Sequence, residues 1–106
     1  MNGYKKVLQI SDLPTGSATT VKVGSAAVAV FNVEGTFYAM EDACVHAGGP
    51  LGAGGLDGDI VTCPWHGWQF NVKKGCAIMS DEITVKRYNT KVQDEAVYVS
   101  VEAMGG

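Results

Sequence analysis

The apolar positions of this chain fall into short runs separated by turn residues. None sustains the 3.6-residue period of a long amphipathic helix. Tyr4–Ile10 is apolar enough for a first strand, ended by the turn cluster Ser11-Asp12-Leu13-Pro14 with Gly16. Thr19–Val23 is β-branched at most positions and closes at Gly24-Ser25. Ala26–Val33 has the composition of a buried strand and Thr36–Met40 forms the next, with Glu34-Gly35 between them as a tight hairpin. Asp57-Gly58 marks a turn before a short strand at Asp59–Thr62, and Gln69–Val72 precedes a turn at Lys73-Lys74-Gly75. Residues 76–82 carry no period and are expected to be irregular. Ile83–Val92 and Ala96–Val101 then predict a closing hairpin across Gln93-Asp94-Glu95. Val97, Val99 and Val101 alternate with Tyr98 and Ser100, as in a half-buried strand. Gly105-Gly106 should fray. No internal repeat appears, and this many short strands indicates an antiparallel all-β fold.

Composition narrows the function classes. At 106 residues the chain makes one domain with a single modest core. A net charge of −3 and the lack of any basic stripe argue against nucleic acid. The acidic pairs Glu41-Asp42, Asp81-Glu82 and Asp94-Glu95 read as solvated turns that could still steer a basic partner. The longest apolar run, Ala26–Phe31, is far too short to span a membrane. Gln9, Ser11 and Asp12 break any signal-peptide core behind Lys5 and Lys6, so a cytoplasmic protein is expected.

The chemistry concentrates between Cys44 and His66. Both histidines lie there, each beside a cysteine: Cys44-Val45-His46, sixteen residues, then Cys63-Pro64-Trp65-His66. Thiolate and imidazole donors together suit a transition metal. Zinc in a structural module accepts two Cys and two His, but common zinc spacings keep like ligands adjacent. Here each arm carries one of each, which suits two irons bridged by sulfide, with each arm reaching both. Half of the fourteen glycines fall between Gly48 and Gly67, where backbone can approach a ligand closely. The third cysteine, Cys76, lies outside both arms and reads as a small core residue.

Residues 44–70 resemble the Rieske family signature, with Gly48-Gly49-Pro50-Leu51 after the first arm and Gly67-Trp68 after the second. The whole chain is similar to the small Rieske-type ferredoxins. The resemblance implies a Rieske β-sandwich over 1–106, with a cluster-binding lobe (about 42–82) inserted into a basal β domain. It implies one 2Fe–2S cluster per chain, Cys44 and Cys63 on the inner iron, His46 and His66 on the outer one. It further implies a monomeric one-electron carrier, taking electrons from a reductase and passing them to a terminal oxygenase of a ring-hydroxylating dioxygenase system. A small Rieske subunit of an assimilatory nitrite reductase is the other role this fold serves. An oxygenase is not expected, because its mononuclear iron needs two further histidines and a larger chain. Relatives usually cover one side of the cluster with a proline-containing segment after the second arm, whereas this chain has no proline beyond Pro64. High-potential relatives in cytochrome bc complexes carry disulfide-forming cysteines where Gly49 and Trp65 stand here. They also carry Ser and Tyr donors to cluster sulfur where this chain has Trp68 and Phe70.

Overall fold

Eleven strands run through the residues that the computed structural model describes, 3–42, 50–65 and 67–103. They are β1 (Tyr4–Gln9), β2 (Ala18–Val23), β3 (Ala26–Val33), β4 (Thr36–Glu41), β5 (Gly55–Asp57), β6 (Ile60–Thr62), β7 (Gln69–Asn71), β8 (Cys76–Ala77), β9 (Ser80–Thr84), β10 (Arg87–Gln93) and β11 (Ala96–Ala103). Two short 3₁₀ turns, Ile10–Asp12 and Leu51–Ala53, complete the regular structure of these residues. All strand pairs are antiparallel, in a six-stranded sheet ordered β1-β11-β10-β4-β3-β2 and a five-stranded sheet ordered β5-β6-β7-β8-β9.

β3 explains how these sheets share their apolar surface. Successive side chains of a strand point to opposite faces, so an unbroken apolar run must be covered on both. Val28 and Val30 join Phe37, Ala39, Val97 and Val99 in a core enclosed by the six-stranded sheet. That sheet curls until its edge strands approach, and Val7 and Leu8 of β1 and Val21 of β2 pack on the same core. Ala29, Phe31 and Val33 face the other way and, with Met40, meet Leu51, Val61, Phe70, Val72 and Ala77 of the smaller sheet and its approach. Asn32 is the polar exception within β3, and it is fully paired. Its amide donates to the Leu13 carbonyl at 2.7 Å, and its oxygen accepts from the Gly35 N–H at 2.8 Å. The hairpin expected at Glu34-Gly35 forms, with φ of 52° and 92°, the positive pair of a tight two-residue turn.

Three expectations need correction. Ile83–Val92 is not one strand: β9 ends at Thr84 and β10 begins at Arg87, in different sheets. Val85 carries the chain across, buried in the core between the sheets with its N–H donating to the Gly75 carbonyl at 2.7 Å. No glycine or proline marks the crossing, so pattern alone could not find it. Residues 76–82 are not irregular either, since they hold β8 and the start of β9 joined at Ile78-Met79. β5 was not anticipated, because its partner β6 supplies the hydrogen bonds that so short a segment cannot announce.

Candidate metal centre

The register of the smaller sheet brings the flanks of the two candidate ligand arms to one end. Gly55 of β5 pairs with Thr62 of β6, and Thr62 pairs with Gln69 of β7. Ala77 of β8 pairs with both Phe70 and Ser80, and the Ile78 N–H donates to the Gln69 carbonyl at 2.9 Å. The chain leaving the first arm through Leu51–Ala53 therefore arrives where the second arm, Cys63 to Trp68, departs and returns. The Ile78-Met79 turn borders the same end. At the opposite end lie Asp57-Gly58 and the Lys73-Lys74 turn, whose N–H groups the Asn71 side chain accepts at 2.9 and 3.1 Å.

Of the four ligand candidates, Cys63 is placed, whereas Cys44, His46 and His66 lie outside the described residues. Cys63 is 1% exposed and belongs to the core between the sheets. Its N–H donates to the Trp68 carbonyl at 2.7 Å, closing the second arm at its base. Gly67, at φ 73°, supplies the left-handed turn that closure needs. The aromatic trio of this arm divides by position. Phe70 is fully buried, Trp68 packs half-buried against the core with its ring 6.5 Å from that of Phe70, and Trp65 stands 51% exposed. Ile78 and Met79 are likewise exposed, which makes the border of the ligand end apolar. Cys76, as expected, is buried away from this end, paired with Asn71 and Thr84.

Two residues that sequence reasoning passed over also build this end. Asp42, grouped with Glu41 as a solvated turn, is instead half-buried, and its carboxylate accepts from the Gly52 N–H at 2.7 Å and from the Thr20 hydroxyl at 3.1 Å. Gly52 lies so close to β2 that an added Cβ would strike the Thr20 hydroxyl and come 2.6 Å from the Thr19 carbonyl. The available signal was position, because Asp42 and Gly52 bracket Cys44 and His46.

A buried cysteine at the rim of a closed turn suits a metal thiolate, and two thiolates with two imidazoles are the donor set of a mixed-ligand iron–sulfur centre. The Rieske 2Fe-2S domain family matches residues 3–99. Ferredoxin CarAc of Metapseudomonas resinovorans is 39% identical over 101 residues, covering 93% of this chain and 94% of that protein. The biphenyl dioxygenase ferredoxin subunit of Pseudomonas sp. (strain KKS102) is 40% identical over 73 residues, 68% of this chain and 67% of that one. Among solved structures, a chain from the complex of reduced oxygenase and oxidized ferredoxin in carbazole 1,9a-dioxygenase superposes with a TM-score of 0.89 at 36% identity, covering 100% of both chains. The chain belongs to the Rieske 2Fe-2S domain family, and its cofactor is a Rieske-type 2Fe–2S cluster.

Proposed function

We propose that this chain is a one-electron carrier in a multicomponent ring-hydroxylating dioxygenase system, taking electrons from a reductase and passing them to a terminal oxygenase. The observation that carries this reading is the full-length match to a chain of the oxygenase–ferredoxin complex. Cys44 and Cys63 would hold one iron of the cluster, and His46 and His66 the other. When bound, the cluster supplies a couple that accepts and releases one electron without changing a ligand.

The protein's own part is to hold, seal and present. Cys63 sits in packed core and its arm is closed by a backbone hydrogen bond, so the donor has little room to move as the charge changes. Trp65, Ile78 and Met79 give this end the exposed apolar surface that partner interfaces favour. Ile78-Met79 lies after the second arm, in the stretch where relatives carry their proline-containing segment, and forms an exposed apolar turn there. Both histidines are committed to the cluster, and the chain has no others to build a mononuclear oxygenase iron. It acts as a carrier and not as an enzyme on the organic substrate. Among the described residues no helix is long and apolar enough to cross a membrane.

Metal analysis and spectroscopy test this together. The purified protein should be red-brown, with two irons and two acid-labile sulfides per chain. Its reduced form should give a rhombic paramagnetic resonance signal and be reoxidised by a terminal oxygenase. A colourless protein holding one zinc would end the reading.

A further inference from the structure

The two ligand arms are closed in different ways. The second arm is closed by backbone alone, Cys63 N–H to Trp68 carbonyl at 2.7 Å across four intervening residues. The first arm lies in a span of nine residues between Asp42 and Gly52, and a side chain closes it. Asp42 Oδ1 accepts from the Gly52 N–H at 2.7 Å, so chain that departs at Asp42 has returned by Gly52. Asp42 Oδ2 accepts from Thr20 Oγ1 at 3.1 Å, and the Asp42 N–H donates to the Ala27 carbonyl at 3.1 Å, which fixes the closure to β2 and β3. Gly52 completes it, since only a residue without a Cβ lets the returning backbone lie against Thr19 and Thr20.

We propose that Asp42 is the positioning residue of the first ligand arm, its carboxylate joining the chain at the two flanks of the segment that carries Cys44 and His46 and fixing those flanks to the six-stranded sheet. This rests on the reading of Cys44 and His46 as cluster ligands. Groups that orient metal ligands from behind are commonly worth roughly ten- to a hundred-fold in metal retention. What Asp42 contributes is geometry. An asparagine there can accept from Gly52 through its oxygen and donate to Thr20 through its nitrogen, preserving both links without the charge.

Bleaching of the visible spectrum by a ferrous-iron chelator under reducing conditions, together with the resonance spectrum, tests this. Asp42→Ala should lose its cluster about tenfold faster than wild type or more, with a broadened resonance signal. Asp42→Asn should stay close to wild type in both. Thr20→Val, which removes one link, should fall between them. A wild-type rate in Asp42→Ala, or an Asp42→Asn as fast as Asp42→Ala, overturns the proposal, the second by showing that charge is what matters. Should Asp42→Ala not accumulate, Thr20→Val decides: faster loss than wild type supports the closure and an unchanged rate overturns it. If the wild type itself holds no iron, the proposed function has failed, and the closure is then read from amide exchange in peptides spanning 50–57. Protection there, lost in Asp42→Ala and kept in Asp42→Asn, upholds the closure, and equal exchange in all three overturns it.

Discussion

The two sheets differ in what holds them. Among the described residues, the six-stranded sheet encloses an apolar core of its own, built from Val28, Val30, Phe37, Ala39, Val97 and Val99, to which the smaller sheet contributes nothing. The five-stranded sheet encloses none. Its buried side chains Val61, Phe70, Val72 and Ala77 pack against Ala29, Phe31, Val33 and Met40 of its larger neighbour. Strand lengths follow the same division, six to eight residues in the larger sheet and two to five in the smaller. Strands that short are marginal without support. The smaller sheet is thus held by the larger sheet beneath it, whereas the larger sheet has, besides that shared contact, a core of its own.

Removing the cluster should break the comparison most visibly. On the proposed ligand assignment Cys63→Ser or His66→Ala takes one donor from the set, and the visible spectrum should be lost entirely. Amide exchange should then rise across 55–84, while β3, β10 and β11 keep their protection. Cys76→Ser, outside both arms, should retain the spectrum. Loosening spread evenly over both sheets would show that the larger sheet is not independent, and loss of the cluster in Cys76→Ser alone would overturn the ligand assignment.

Removing the floor beneath the smaller sheet should be the next largest effect. Phe31 is fully buried at the contact between the sheets. Its truncation to alanine should cost about 3–5 kcal/mol by chemical denaturation, with cluster loss accelerated because the surface under Val61 and Phe70 is gone. Val97→Ala lies in the other core and offers the contrast. It should cost about 0.5–3 kcal/mol and leave the rate of cluster loss as it was. Equal acceleration in both variants would mean that the two cores act as one.

That division also governs what the sequence could announce. β1–β4 and β11 were legible because apolar periodicity and turn residues are local signals, and Val97 and Val99, alternating with Tyr98, mark one buried face directly. In the smaller sheet β6 and β7 were legible in the same way, from the turns at Asp57-Gly58 and Lys73-Lys74-Gly75, and the rest was not. β5 and β8 have three and two residues, too few to show a period, and their partners alone make them strands. The passage from β9 to β10 was hidden because Ile83–Val92 has strand propensity throughout, and only packing decides that Val85 turns into the space between the sheets. Asp42 was hidden for a related reason. An acidic residue beside another acidic residue looks solvated until Thr20 and Gly52, remote in the chain, are seen to face it.

The smallest effect concerns the reduction potential, which should answer to the ligand end alone. The hydroxyl donors to sulfur that raise the potential of high-potential relatives are missing here, for Trp68 and Phe70 occupy those positions. Phe70 is committed to the core, and the Trp68 ring lies tilted by 34° against it, so both positions serve packing. A donor to a cluster sulfur draws off charge and favours the reduced state, so the loss of two lowers the potential. Nor can the two arms be tied by a disulfide, since Gly49 and Trp65 stand at those places. The potential should therefore fall near the low end of the Rieske range, roughly −150 mV, and far from +300 mV. Voltammetry on a protein film measures it. Val97→Ala should leave that value unmoved even as it lowers stability, because its core lies in the other half of the molecule. A clearly positive wild-type potential would show that other donors have replaced the missing hydroxyls, and a shift in Val97→Ala would show that the larger sheet sets the electrostatics of the ligand end after all.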